Sequence, residues 1–479
     1  MYDQIYRKIH TRFPPEQAIA ERALKWVLCT PYPLTSEELL SAARMCIEKE
    51  NIKLGSCIQQ ESLLSICENL LVVDTDGRWR YFHLSAREYL EKTYDIYQQA
   101  RSYCAQVCLL SLMRTFGPET LPGSLEDPFN QAHPFSWHTQ TCWIVYVVGQ
   151  MENDQSVILL KKFLGSPDKS SVFYIRWLDH LSGHHVPFHF IFLEYGDLVP
   201  ATTPMFAIAH FSLYEGTLRE WCDSNDFDPF QQNNRGDDLL TIAAMNNCVP
   251  LCAALIAKGV NVNQCRVNSR YDSVLSAAAS SNSFDTVKYL VEEAKADVNL
   301  PPESGNCGSA LAAASKRGNL DILRYFAEEV KPAVDLLVHV RIYGNVLATA
   351  AFAGRLDVVR YLVEEAKIDV NLQLGEDSFG SVLVAASWGS LVVVKYLVEE
   401  AKAGLNGPHG ANDALVAAIL SGNLDIVRYF VEEIKADVGS LIEQGLIDLA
   451  LETHNNEDAA VFREILKLPS HQEAAEDEH

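Results

Sequence analysis

A chain of 479 residues has room for roughly two to four domains. Its 48% hydrophobic and 21% charged content marks a folded globular chain and excludes a disordered one. Lys and Arg total 39 against 63 Asp and Glu, a net charge of −24, so the surface as a whole repels phosphate backbones and anionic lipid.

The opening MYDQIYRKIH is amphipathic and has no apolar signal core. No apolar run approaches the ~20 residues needed to cross a bilayer. The twelve cysteines show no C-x-x-C pair, and most stand in apolar helical contexts. Free buried thiols in a reducing compartment follow, which makes the cytoplasm the expected location, with the nucleus as the alternative.

In chain order, Tyr2 to Arg12 reads as a short amphipathic helix. Pro14-Pro15 leads into a second helix over Glu16 to Val27. Thr35-Ser36-Glu37-Glu38 is a capping-box pattern opening a helix from Glu37 to Met45. Another helix covers Glu61 to Asn69, and Leu70 to Asp74 reads as a strand. Asp76-Gly77 is a hairpin signal, and Trp79 to His83 returns as a second strand. Ser85 followed by Glu88 is a further capping box, starting a helix through Tyr94. Helices followed by a β-hairpin make a winged helix. Such a fold often reads DNA, but the helix that would enter the groove, ESLLSICENL, carries two glutamates and no Lys or Arg. No nucleic-acid partner is expected.

Residues 97–201 are expected to be a helical linker domain, built from WHTQTCWIVYVV, VILLKKFLGS and FYIRWLDHL. CWIVYVVG within it reads as a buried helix or strand. Cys104 and Cys108 share a helix face among Ala, Val and Leu, which argues for packing. His180, His184, His185 and His189 include two i,i+4 pairs, the spacing of metal sites, but Gly183 and Pro187 interrupt any helix and no third ligand type completes a set. No metal and no cofactor is expected. No G-x-S-x-G or H-E-x-x-H occurs, and no catalytic residue is assigned.

The C-terminal part repeats itself. YLVEEAKADVN, YFAEEVKPAVD, YLVEEAKIDVN, YLVEEAKAGLN and YFVEEIKADVG begin at Tyr289, Tyr325, Tyr361, Tyr396 and Tyr429, so they recur at spacings of 36, 36, 35 and 33 residues. Each follows an Ala-rich helix and a Gly or Asn turn such as Gly318, Gly354 or Gly422, positions suited to positive φ. One unit cannot bury its own apolar face, here Val358, Val359, Leu362 and Val363, so the units must stack. Weaker copies occupy 203–228 and 238–263, and 444–468 reads as a terminal cap.

The recurring pairs Glu292-Glu293, Glu328-Glu329, Glu364-Glu365, Glu399-Glu400 and Glu432-Glu433 suggest an acidic ladder for a cation or basic partner. Each pair, however, has a Lys or Arg four residues before its first Glu and a Lys two residues after its second. Solvated intrahelical i,i+3 and i,i+4 ion pairs are the expectation.

These units resemble ankyrin repeats, on the G-N-L-D-I-V-R-Y-F and A-D-V-N elements and the period. The Thr-Pro-Leu-His that usually opens helix one is replaced by Ser273-Val274-Leu275-Ser276 and its equivalents, so the hydroxyl and imidazole that commonly brace the family's turns are expected to be mostly absent. Ala-Lys replaces the Gly that usually ends helix two, which predicts a slightly longer second helix. The resemblance implies a protein partner docked on loop tips and helix-one ends. Candidate contacts are Arg266, Tyr271, Lys316, Arg317, Arg341, Tyr343, Phe352, Phe379, Trp388 and His409, with Trp388, Phe352, Tyr343 and Arg317 foremost as aromatic and Arg anchors. Trp388 has a second reading, as a plug for the gap left by the one-residue shortening of its turn.

The segments YDQIYRKI, AERALKWVLCTPYPLTSEELLSAA, ICENLLVVD and YFHLSAREYL resemble the winged-helix segment that follows the NACHT nucleotide-binding core in fungal signalling ATPases related to NOD-like receptors. In that family the His of the FHLS-type motif, here His83, helps hold the β-phosphate of ADP. No Gly-Lys dipeptide, and hence no P-loop, occurs in this chain, so His83 is expected to be an ordinary partly buried His. The chain resembles the back half of such a protein.

The expected architecture is mostly α: a winged-helix-like domain at 1–96, a helical linker at 97–201, about seven ankyrin repeats plus a cap at 202–468, and a disordered acidic tail at 469–479. The expected function is a non-catalytic interaction scaffold in fungal signalling. Two alternatives stand beside it: a partner or fragment of a separate NACHT-type ATPase, and an enzyme or accessory factor with an unrecognised pocket in 97–200.

Overall fold

The structure is a computed structural model that describes residues 2–94, 96–118, 127–131, 133–149, 154–182, 195–214, 218–265, 269–300, 309–330, 344–374, 378–406 and 409–468. The expected acidic tail at 469–479 lies outside the described residues. The chain is mostly helical and divides into two compact units, Met1–Asn234 and Arg235–His479.

The first unit opens with helices Tyr2–His10, Pro14–Cys29 and Ser36–Ala43. Pro14 and Pro15 are tolerated because first-turn N–H groups have no helical acceptor. The Thr35 capping box forms in full: Thr35 Oγ1 accepts from the Glu38 N–H at 3.3 Å, and the Glu38 carboxylate accepts from the Thr35 N–H at 2.7 Å. This helix stops before Met45, because Met45–Glu48 (β1) pairs antiparallel with Asn51–Leu54 (β2), a hairpin the sequence reading missed.

The helix Gln60–Ile66 leads to the expected second hairpin, Leu71–Val73 (β3) against Trp79–Tyr81 (β4), with Gly77 at φ +72° in its turn. Trp79 is fully buried and its Nε1 donates to Ser36 Oγ at 3.1 Å, which ties the hairpin to the preceding helix. The next helix, Leu84–Tyr94, starts two residues earlier than its Ser85 capping pattern suggested. His83 caps it instead: its Nδ1 accepts from the Ser85 N–H at 3.1 Å. His83 is exposed, contrary to the expectation of partial burial, because the capping role keeps the ring on the turn's outer side.

Helices Ile96–Thr115, Pro134–Val147, Gln155–Leu164 and Val172–Ser182 complete most of this unit. A two-residue pair, Gly165–Ser166 (β5) with Lys169–Ser170 (β6), joins the last two. The apolar CWIVYVVG lies mostly in the helix Pro134–Val147. Trp26 sits edge-on to Tyr103, Phe135, His138 and Tyr146, with ring centroids 5.5–6.4 Å away. Such pairs add about 0.5–1.5 kcal/mol each beyond area burial. His138 lies between the hydroxyls of Tyr32 and Tyr146, both at 2.9 Å, and burial pushes its pKa down to about 3. A neutral ring donating from one nitrogen and accepting at the other satisfies both contacts. Cys104 and Cys108 are fully buried in the core, and the described cysteines are free thiols. Helices Met205–His210 and Arg219–Asp223 end the unit.

The second unit is a row of helix pairs: 239–245 with 249–257, 274–280 with 284–292, 310–317 with 320–324, 346–352 with 356–360, 382–387 with 391–395 and 411–420 with 424–428. Helices Val438–Glu443, Leu446–Leu451 and Asn456–Leu466 close it. First helices pack side by side, which their Ala content permits: Ala312, Ala313, Ala348, Ala350 and Ala385 are completely buried. Val358, Val359 and Leu362 are fully buried, whereas Val363 is only half-buried.

The capping oxygen of the usual Thr is supplied at the same position by other residues. Asp238, Ser273, Ser309, Asn345 and Ser381 are N-caps whose side chains accept from the N–H three residues on. Each such cap contributes about 1 kcal/mol. The turn glycines adopt the expected left-handed backbone, Gly318 at φ +84°, Gly354 at +69° and Gly422 at +75°.

Four of the second helices run on as π-helical turns rather than as α-helix, at Tyr325–Glu329, Tyr361–Glu365, Tyr396–Glu400 and Tyr429–Ile434. With or without such a turn, the lysine after Ala or Ile takes the left-handed position usually given to Gly: Lys295, Lys367, Lys402 and Lys435 lie at φ +58° to +61°. A side chain in this region strains the backbone by about 1–2 kcal/mol. Lys367→Gly is therefore expected to stabilise the array by about 0.5–1 kcal/mol, after the extra unfolded-state entropy of Gly is subtracted. A shift of the urea midpoint to higher concentration checks it.

Candidate protein-binding surface

The second unit presents two chemically distinct faces. On the helix-two face the glutamate pairs link neighbouring repeats, which corrects the expectation of purely intrahelical pairs. Within helices, Lys288–Glu292 (3.8 Å) and Arg324–Glu328 (3.3 Å) do form. The first glutamate of four of the pairs, however, accepts from the tyrosine hydroxyl of the next repeat. Tyr325 donates to Glu292 at 3.1 Å, Tyr361 to Glu328 at 3.2 Å, Tyr396 to Glu364 at 2.9 Å and Tyr429 to Glu399 at 3.1 Å. In three of the pairs the second glutamate pairs with a cation of the preceding repeat: Arg324–Glu365 at 2.6 Å, Arg360–Glu400 at 3.1 Å and Lys395–Glu433 at 3.6 Å. Those cations also lie 4.5–5.0 Å over the rings of Tyr361, Tyr396 and Tyr429. This face is thus occupied by its own contacts.

The ladder carries a pH signature. Burial, together with the neighbouring glutamate, pushes the phenols of Tyr361, Tyr396 and Tyr429 up to about 12. Their folded pKa lies above the ordinary phenol value near 10. The stabilisation is therefore fully present below pH ~10 and is lost as pH rises through ~12. The hydrogen bond to Arg324 lowers the Glu365 carboxyl, so that pair acts oppositely: its contribution is present above the ordinary carboxyl range and is lost on acidification. Thermal melts followed by circular dichroism should show the array weakening between pH 10 and 12, and replacing the three tyrosines by Phe should remove much of that weakening.

On the other face, the C-terminal ends of the first helices and the loops before them line up. Arg317 is exposed, its Nε donating to Ser280 Oγ at 3.3 Å. Arg355, also exposed, donates from Nε to the Lys316 carbonyl at 3.1 Å, which bridges two repeats. Phe352 stacks on Phe379, with centroids 5.4 Å apart and planes within 19°. Phe379 in turn lies 6.1 Å from Trp388, whose side chain is 37% exposed. Trp388 therefore does not plug the core. Its shortened turn is accommodated by Gly389, which lies so close to the Phe352 carbonyl that no Cβ would fit.

The structure brings Lys316, Arg317, Phe352, Phe379 and Trp388 together along this face. His409 is exposed farther along, its Nδ1 3.1 Å from Asp413. Tyr271 is not available: it is only 5% exposed, tucked in just before the buried N-cap Ser273, with the Arg270 guanidinium 5.6 Å from its ring. Arg266, Arg341 and Tyr343 lie outside the described residues. Arg355, which the sequence reading passed over, belongs to the surface. Its place one residue after the turn glycine, where Asn319 and Asn423 stand in other units, was the available signal.

The first unit has its own exposed features around the His83 cap. Phe82 and Leu84 are 70% and 66% exposed, and beside them a groove of about 380 Å³ is lined by Tyr32, Pro33, Trp79, Arg80, Tyr81 and Arg87 among others. His180 is in ring contact with Phe116 and Trp137, while His184, His185 and His189 lie outside the described residues. Among the described residues no three His, Cys, Asp or Glu side chains are grouped to hold a metal ion, and no helix is long and apolar enough to cross a membrane.

Residues 11–100 match the family model described as "GPI inositol-deacylase, winged helix domain", and residues 205–302 match the model "Ankyrin repeats (3 copies)". No curated protein matches the chain. Among solved structures, the ankyrin repeat domain of human ASB11 is similar at 22% identity and a TM-score of 0.37, over 44% of this chain and 90% of that one. The chain thus carries a winged-helix module near its N-terminus and ankyrin repeats farther along.

Proposed function

We propose that this chain is a non-catalytic interaction scaffold, whose helix-one ends and adjoining loops hold a partner protein. The single observation that carries this is the partly exposed aromatic run Phe352–Phe379–Trp388, with Trp388 at its exposed end, on a repeat array whose opposite face is already occupied by its own ion pairs. Packed, half-exposed aromatics next to arginine have the composition of interface hot spots. The match to a module named for a deacylase concerns the winged helix alone, and no deacylase chemistry is proposed. The domain division at 96, 201 and 468, the cytoplasmic or nuclear location and a role in fungal signalling belong to the same proposal.

Trp388→Ala is the test. Lysate of the native host is passed over immobilised wild-type and variant chain, with thermal melts of both as folding controls. Loss of a hot-spot Trp costs about 2 kcal/mol or more of binding, about thirtyfold or more in Kd. Capture that falls by this factor while the melting temperature holds supports the reading. Equal capture by a folded variant overturns it.

A second reading is favoured by the exposed Phe82 and Leu84 beside the His83 cap. Here the winged-helix module docks a separate NACHT-type ATPase, and capture would then depend on Phe82 and Leu84 and be indifferent to Trp388.

A further inference from the structure

The helix-one ends, though not the segment before Phe379 with its Glu376 and Asp377, differ in charge from the rest of the molecule. The chain carries a net charge of −24, and on the second unit's helix-two face five repeats each carry a glutamate pair. At the helix-one ends the signs reverse. The segments 246–247, 280–282, 316–318, 352–355, 388–390 and 420–422 contain Lys316, Arg317 and Arg355 and not one Asp or Glu. Neither Arg317 nor Arg355 has a carboxylate partner among the described residues, whereas Arg324 and Arg360 on the opposite face are each held by a glutamate. Both guanidiniums are held by a bond from Nε, to Ser280 and to the Lys316 carbonyl, which leaves the donors of the terminal nitrogens for a ligand. The aromatic run Phe352, Phe379 and Trp388 begins in the repeat that supplies Arg355.

We propose that the occupant of this face is an acidic segment of a partner protein carrying a large apolar anchor. Its carboxylates pair with Arg317 and Arg355, and its anchor packs on the Phe352–Phe379–Trp388 run. The inference rests on the scaffold reading and adds the chemistry of the ligand. Three cations on a chain this acidic do not make the continuous positive track that a nucleic acid follows, and the rings are packed on one another rather than spaced as separate platforms for successive bases.

The full chain, immobilised, is panned with a random-peptide phage library, with oligo-dT as a separate soluble competitor. The expected result is enrichment of Asp- and Glu-rich peptides containing Phe, Trp or Leu, lost with Trp388→Ala and weakened by salt. Arg317→Gln and Arg355→Gln should each reduce affinity by roughly two- to fivefold, the range of an exposed ion pair. The charge-reversed double variant Arg317→Glu/Arg355→Glu, verified by thermal melt, should switch the recovered peptides to Lys- and Arg-rich ones. Recovery of neutral or basic peptides by the wild type, no enrichment at all, an unchanged preference after charge reversal, or displacement by oligo-dT would each overturn the inference. Lysate capture lost with Trp388→Ala while panning shows no acidic preference leaves the scaffold standing and removes only the acidic ligand. Capture indifferent to Trp388 removes the scaffold reading itself.

Discussion

Replacing Arg270 with Ala is expected to destabilise the second unit by about 3–5 kcal/mol, the cost of stripping one partner from a buried ion pair. Asp237 is completely buried, and Arg270 meets it through Nε and Nη2, each at 3.0 Å. Ser269 Oγ and the Arg270 backbone N–H also donate to it, the latter at 3.3 Å. These donors remain in the variant, and Arg235 still interacts electrostatically with Asp237, but the carboxylate loses the Arg270 guanidinium while staying out of water. Arg270→Lys keeps a charge without the planar fork and should fall between wild type and Ala. Urea unfolding followed by circular dichroism measures both. A loss below 1 kcal/mol for the Ala variant would show that the pair contributes little net stability.

The second large effect is expected at Leu362, which is fully buried in the π-helical turn of a central repeat. Leu362→Ala should cost about 2–5 kcal/mol through lost transfer energy and the cavity left behind. The damage should spread to adjoining units, because each repeat is stabilised chiefly by its neighbours. Hydrogen exchange would show faster opening in the helices 310–324 and 382–395 as well as in 346–365. Val363→Ala, at a half-buried position, is the internal comparison and should cost well under half as much. Equal effects at the two positions would contradict the burial pattern.

Much of this architecture is legible in single residues. The Thr35 capping box, the Asp76-Gly77 hairpin and the Gly318, Gly354 and Gly422 turns each have one physical solution, and the structure adopts it. The β1–β2 hairpin escaped because its turn, Lys49-Glu50, contains neither Gly nor Asn, although Lys49 sits at φ +57°. The π-helical turns escaped because Tyr-Leu-Val-Glu-Glu has ordinary α-helical periodicity. Sequence reasoning assigned the glutamates partners four residues away. The partners that dominate lie 41 and 40 residues away, Arg324 with Glu365 and Arg360 with Glu400, a distance set by repeat stacking and not by helix pitch.

The binding face was half legible. Helix-one ends are recognisable from the repeat, so Arg317, Phe352 and Trp388 could be named. Loop positions could not be sorted into exposed and buried, and Tyr271 turned inward.

The most direct test is hydrogen exchange on the full chain, free and bound to the protein it captures from its host. The account predicts that partner-induced protection concentrates at 316–318, 352–355 and 379–390, and leaves the helix-two face at 361–365 and 396–400 unchanged. Protection confined to residues 79–90 around His83, with the helix-one ends untouched, would contradict it.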